Sequence, residues 1–245
     1  MPEALPFIGR EKERQRLGAA ARHRHSLLVL GAAGMGKTRL ISEAIPPDEA
    51  LYARGEPSLH RLLVALARAM IAAKHAAFLD RAKPSANVEA WLGGQPSIHL
   101  KGLLWNALQA APALVILDGI TGAGFPTYRF LQRLYHMPGM ALLASARDRA
   151  SLGALGRLFW HPAGTVNLSP LSEREAEHLF ESAADRYQLR TLDLGDFREK
   201  VLESAGGNPG QIIEMCRMAA QPQYHSGRYI KFSPLRIDTV IKFGF

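Results

Sequence analysis

The stretch Gly31-Ala32-Ala33-Gly34-Met35-Gly36-Lys37-Thr38-Arg39-Leu40 follows directly on the short run Ser26-Leu27-Leu28-Val29-Leu30. It matches G-x-x-x-x-G-K-[ST] in the context that pattern requires, a buried strand before and a helix after. That helix is predicted over Lys37–Ile45, where Pro46-Pro47 stops it. The glycines let the backbone curl until successive N–H groups converge as an anion nest. The helix beginning near Lys37 turns its positive end to the same spot. On this reading Gly31, Gly34, Met35, Gly36, Lys37, Thr38 and Arg39 surround a nucleotide's phosphates. Lys37 would reach the β- and γ-phosphates, and the Thr38 hydroxyl would ligate Mg²⁺. A chance match in a glycine-rich turn would not explain the flanking strand and helix.

Such a loop needs an acid for the metal at the end of another strand. Leu114-Val115-Ile116-Leu117-Asp118 supplies one. A carboxylate ending four aliphatic residues is costly to desolvate without a cation or hydrogen bonds. The alternative, an aspartate capping the next turn, fits the spacing equally well until the phosphate loop is considered beside it. Hydrolysis of ATP requires a further group that orients the attacking water. Many ATPases with this loop place a second acid directly after the metal aspartate, and here Gly119 stands there. The nearest acid downstream is Asp148. ATP and Mg²⁺ are therefore the expected cofactors, and ATPase activity is expected to be weak in the protein alone.

Outward from the loop, Leu51–Arg54, Ala113–Asp118, Met140–Ser145 and Thr165–Leu168 read as further strands. Leu59, Leu62, Leu63, Leu66 and Met70 are spaced for one helix face, as are Phe130, Leu131 and Leu134. Asp80–Ser97, with two prolines and two adjacent glycines, is expected to be irregular. Strands alternating with helices predict a parallel α/β sheet with helices on both faces. From Ser169-Pro170 to Gln221 only helices are predicted. Ser172 with Glu175, and Asp196 with Glu199, have capping-box spacing. Asn208-Pro209 starts a third helix, proline being tolerated at the first helical position. The tail from Gly227 alternates apolar and polar residues in two runs and predicts a hairpin. The expected organisation is an α/β domain over 1–168, a small all-α lid over 169–222 and a short β-like tail over 223–245.

The 245 residues are 47% hydrophobic, enough for one large core or two small ones. No window reaches the ~18 consecutive apolar residues of a membrane span, and the amino terminus lacks a secretion signal. The single cysteine, Cys216, sits in an apolar helical pattern and reads as core packing, consistent with a reducing cytoplasm. A net charge of +8 admits a nucleic-acid partner. Most basic residues, however, stand beside acids. The exceptions are Arg22-His23-Arg24-His25 and the series Arg61, Arg68, His75, for which a solvated helix face is the favoured reading.

Three further stretches carry a resemblance. Phe7-Ile8-Gly9-Arg10-Glu11 with Glu13 and Leu17 resembles the F-V-G-R-E-x-E-x-x-x-L segment of the STAND-type signalling ATPases and the origin-recognition-like AAA+ ATPases. Ala141–Asp148 resembles the strand of those families whose terminal arginine senses the γ-phosphate. Leu168–Ser172, with Glu175 and Phe180, and then Gly206-Gly207-Asn208-Pro209-Gly210 resemble the start and the G-x-P signature of their helical lid. The resemblance covers roughly residues 5–220. It implies a P-loop NTPase that binds ATP–Mg²⁺ between sheet and lid, with Phe7 and Ile8 against adenine, Arg147 on the γ-phosphate and Pro209 touching the base. The implied role is an ATP-dependent conformational switch, catalytic contacts coming from Lys37, Asp118 and Arg147. The expected partners are ATP and ADP and a protein partner or second copy of the chain, without a membrane. The alternative is a DNA-associated AAA+ ATPase resembling origin-recognition or transposition regulators. A metabolic kinase ranks behind both, because the lid helices carry acids rather than substrate-binding arginines.

Overall fold

Five short apolar segments form one parallel sheet: β1 Leu27–Leu30, β2 Ala50–Arg54, β3 Leu114–Asp118, β4 Ala141–Ala146 and β5 Thr165–Asn167. They lie in a computed structural model that describes residues 5–243. The strand order is β2-β3-β4-β1-β5, so the loop-bearing β1 and the aspartate-bearing β3 flank β4. Every residue of β4, and the first four of β3, is buried, as strands covered on both faces must be.

The crossovers are helical: α1 Glu11–Arg22, α2 Lys37–Ala44, α3 Leu59–Ala72, α4 Ala76–Ala82, α5 Val88–Gly93, α6 Ser97–Ala110 and α7 Phe125–Tyr135. The apolar faces of α3, α6 and α7 share one core with Leu28, Val115, Leu117 and Leu142. Leu27 and Val29 alternate with Leu28 and are buried too, so both faces of β1 are covered. The region 80–97 is not irregular. Its prolines and glycines punctuate helices: Pro84 follows the left-handed Lys83 that ends α4, Gly93-Gly94 close α5, and Pro96 caps α6. Phe78 and Leu92 from these short helices are fully buried.

After β5 come α8 Glu173–Arg186, α9 Gly195–Ala205, α10 Pro209–Ala219, the two-residue strands β6 His225–Ser226 and β7 Tyr229–Ile230, and α11 Phe232–Phe243. The Ser172–Glu175 capping box is formed, Ser172 N–H donating to Glu175 Oε2 at 2.8 Å. The Asp196–Glu199 box is not. The helix α9 starts at Gly195, which puts Asp196 inside the first turn, where it favours the helix dipole and pairs with Lys200 at 2.6 Å. Asn208 caps α10 as expected, accepting from the N–H groups of Gly210 and Gln211. Cys216 is buried in the core of this region with Phe180, Val201, Ile212 and Met215.

The tail holds a hairpin only at 225–230, turning on Gly227 at φ 63°. Its second alternating run is the helix α11, and residues 244–245 lie outside the described residues. Spacings of two and of four coincide at Leu235 and Thr239. In a helix these two share a face, and both are fully buried, while Ile237 and Ile241 are exposed.

By its internal contacts the chain divides into two compact units. One comprises Glu11–Gly31 and Lys37–Asn167; the other comprises Met1–Arg10, Ala32–Gly36 and Leu168–Phe245.

The helix α11 is expected to be part of the second unit's core rather than an appendage. Leu235→Ala should therefore cost about 2–5 kcal/mol, the usual loss for a buried leucine, read as a lower denaturant midpoint. An unchanged midpoint would mean that α11 contributes nothing to that core.

Candidate functional site

The sheet unit gathers polar groups at the carboxyl end of β3. Thr38, in the first turn of α2, donates its hydroxyl to Asp118 Oδ2 at 2.6 Å. Tyr52 of β2 donates to the same oxygen at 2.5 Å. Ser145 of β4 donates to Asp118 Oδ1 and accepts the Gly119 N–H at 2.7 Å. Burial alone would raise the Asp118 carboxyl, but the hydroxyls of Ser145, Thr38 and Tyr52 and the nearby Lys37 charge outweigh it. The group is held below its ordinary range and is ionised at neutral pH. The same surroundings push the Tyr52 phenol up to about 12, through burial first and then the bond to Asp118.

Lys37 donates to the Gly31 carbonyl at 2.6 Å. Its pKa is lowered, chiefly by burial; Asp118 opposes the shift and the Arg147 charge adds to it. Arg147 is exposed, directly beyond the end of β4. The half-buried ammonium thus has both a carboxylate and a second cation near it. Arg39 lies one residue past Thr38 and pairs with Glu43 at 3.7 Å.

In the second unit, Gly34 and Gly36 adopt φ 80° and 83°, and a Cβ on Gly36 would meet nothing within 4 Å. The loop is curled and open at that point, as an anion nest requires. Met35 is buried. Gly210 N–H donates to the Gly34 carbonyl and Asn208 Nδ2 to the Ala33 carbonyl, each at 2.9 Å. Pro209, between them, is half-buried. Ile8 packs on the helical core and Phe7 is half-buried beside it in sequence. Gly9, at φ 70°, has no room for a side chain because Glu175 of the capping box fills the space.

Of the residues expected from sequence, Lys37, Thr38, Asp118 and Arg147 fall within the sheet unit. Phe7, Ile8, Gly34, Met35, Gly36 and Pro209 fall within the other. Sequence reasoning missed Tyr52, Ser145, Asn208 Nδ2 and Gly210. Ser145 left a trace as a polar residue inside a run of aliphatics, and Asn208 and Gly210 stood in the lid motif without their contacts to Ala33 and Gly34 being legible. Among the described residues no three His, Cys, Asp or Glu side chains could hold a metal together. Mg²⁺ takes one or two protein oxygens and completes its octahedron with phosphate and water. Thr38 and Asp118 fit that demand.

A parallel sheet with a phosphate loop after β1 and an ionised aspartate ending β3 is the arrangement of a P-loop NTPase. The AAA ATPase domain family matches residues 6–145, and the chain belongs to that family. No curated protein matches the sequence. Solved structures share the fold. A signal transduction ATPase with numerous domains (STAND) from Pyrococcus horikoshii, with a tetratricopeptide-repeat sensor, is 18% identical at a TM-score of 0.54, covering 98% of this chain and 33% of that one. The chain thus spans about a third of that protein's length. A Walker-type ATPase of Pyrococcus abyssi is 14% identical at a TM-score of 0.65, covering 97% and 74%. A point mutant of Thermotoga maritima RuvB is 13% identical at 0.52, covering 96% and 70%. The chain is an ATP-binding protein of the AAA+ class. Among the described residues no single helix is long and apolar enough to cross a membrane.

The Tyr52–Asp118 bond has a pH signature in the metal-free protein. The phenol's folded pKa lies above its unfolded value of ~10, so its contribution is complete below that pH and lost as pH rises towards about 12. The stability difference between wild type and Tyr52→Phe should hold through neutral pH and shrink above ~10, read from denaturant midpoints. A difference still undiminished at the alkaline end would contradict this assignment of the bond.

Proposed function

We propose that the chain binds ATP with Mg²⁺ as a conformational switch and hydrolyses it slowly, or faster when a partner stimulates it. The observation that carries this reading is the pair Asp118-Gly119. The metal carboxylate is ionised and oriented by three hydroxyls, while the next residue has no side chain and a left-handed φ of 73°. In this reading Lys37 holds the β- and γ-phosphates, Arg147 the γ-phosphate, and Thr38 and Asp118 hold the ion. Bound Mg²⁺ would neutralise phosphate charge and keep the oxygens in place. Phe7, Ile8 and Pro209 would flank the adenine.

Asp148 accepts the Ser151 N–H at 2.7 Å and so caps the turn after β4. The signalling role described by the name of the P. horikoshii protein supports a switch in which a protein partner or second copy reads the nucleotide state. The DNA-associated alternative called for a basic face that includes Arg61 and Arg68. Arg68 is paired with Glu89 at 2.6 Å, and His75 has left the helix to precede α4. That face is broken, which favours the switch.

Removing the Lys37 ammonium deletes charge-assisted contacts worth about 1.5–3 kcal/mol each. Lys37→Ala should therefore lose ATP binding by calorimetry while keeping its far-ultraviolet dichroism. Equal affinity in both proteins would remove the basis for the reading.

Lack of a positioned base costs typically ~10²–10⁴-fold, against a median turnover of ~10 s⁻¹ for enzymes. Phosphate release at saturating ATP should accordingly run at about 10⁻¹–10⁻³ s⁻¹ for the protein alone. Gly119→Asp, which restores an acid in open space with a residue that tolerates left-handed backbone, should hydrolyse ATP faster at unchanged affinity. A wild-type rate of several per second would replace the switch with an ordinary ATPase.

A further inference from the structure

Asn208 makes two kinds of contact at once. Its Oδ1 accepts the N–H groups of Gly210 at 3.0 Å and Gln211 at 3.3 Å, capping α10. Its Nδ2 donates to the Ala33 carbonyl at 2.9 Å, and the side chain is buried. One residue pair further, Gly210 N–H donates to the Gly34 carbonyl at 2.9 Å. A Cβ on Gly210 would stand 2.6 Å from Gly34 Cα and 2.9 Å from its carbonyl oxygen. Backbone meets backbone there, and only glycine permits the approach.

These bonds have a direction. In an anion nest the N–H groups face the phosphates, and it is the carbonyls of Ala33 and Gly34 that are claimed from α10. A curled loop with left-handed glycines has little intrinsic preference for one conformation, since glycine loses more entropy on ordering than any other residue. Two hydrogen bonds to consecutive carbonyls fix the peptide planes, and with them the directions of the N–H groups.

We propose that Asn208 and Gly210 are positioning residues for the phosphate loop, aligning its N–H groups from behind through the Ala33 and Gly34 carbonyls. Phosphate binding and the start of α10 are then coupled through the loop backbone, whatever the base contacts do. This inference rests on the nucleotide-binding reading above.

Asn208→Ser separates the two roles of the residue, because serine caps as well as asparagine but lacks the amide donor that reaches Ala33. The probes are Mg-ATP and tripolyphosphate, the latter measured as a competitor of a fluorescent ATP analogue. Loss of the bond that holds the loop should weaken both about three- to tenfold, with a denaturant midpoint lowered by no more than one hydrogen bond's worth. Gly210→Ala should weaken both further. In the wild type, tripolyphosphate alone should slow amide exchange in residues 210–212, which needs no variant to fold. Unchanged exchange there, or an affinity loss confined to ATP and absent for tripolyphosphate, would overturn the inference while leaving nucleotide binding intact. So would an affinity loss that only tracks a fall in stability. A wild type that binds neither probe would overturn both readings.

Discussion

The Asp118 carboxylate is the constraint around which the sheet unit is arranged. A charge taken partly out of water at the end of an apolar strand must be compensated. The nearby Lys37 charge contributes to that compensation. It also comes from three hydroxyls on three elements: Thr38 from α2, Tyr52 from β2 and Ser145 from β4. Because β2 and β4 are the two neighbours of β3, this arrangement exists only in the observed strand order. The register that sets Arg54 beside Asp118 puts Tyr52 two residues back, within reach of the same oxygen. The hydroxyl network, with the Lys37 charge nearby, keeps the carboxylate ionised, as a group meant to meet a metal should be.

Gly119 joins backbone and chemistry at the same place. Its left-handed φ turns the chain sharply after β3, and its N–H donates to Ser145, the residue that holds Asp118. A second acid would have to adopt that same strained conformation, at a cost of about 1–2 kcal/mol for an ordinary L-residue. Space is not the obstacle, since nothing lies within 4 Å of where a Cβ would be. The glycine therefore has a conformational reason to be there as well as a catalytic consequence.

What was legible in the sequence was local. The phosphate loop, the aliphatic strands and the Ser172 and Asn208 caps are written in residues near one another, and each forms where its pattern falls. The partners of Asp118 were not legible, because Tyr52 and Ser145 reach it only through strand pairing across 66 and 27 residues of chain. The hydrogen bonds from Asn208 and Gly210 to Ala33 and Gly34 were hidden for the same reason. Other misreadings have a different cause. The prolines and glycines of 80–97 signal breaks, and breaks between short helices look the same as breaks within a loop. In the tail, alternation by two and the i, i+4 helix spacing agree at Leu235 and Thr239, and burial of those two decides for the helix.

The cations carry the argument one step further. Lys37 is desolvated, and Arg147 adds to the depression of its pKa rather than relieving it. Burial and the Arg147 charge both disfavour the charged lysine, while Asp118 favours it. A polyphosphate would reverse the sign of each effect: repulsion between the cations would become shared attraction, and burial would strengthen it. Part of the affinity would then come from tension already present before binding. By linkage, a ligand selective for the folded state raises stability by RT ln(1 + [L]/Kd), about 2.7 kcal/mol at a hundred times Kd. A nucleotide bound through Lys37 and Arg147 would then stabilise the folded chain, and a partner sensing that difference needs no contact with the nucleotide itself.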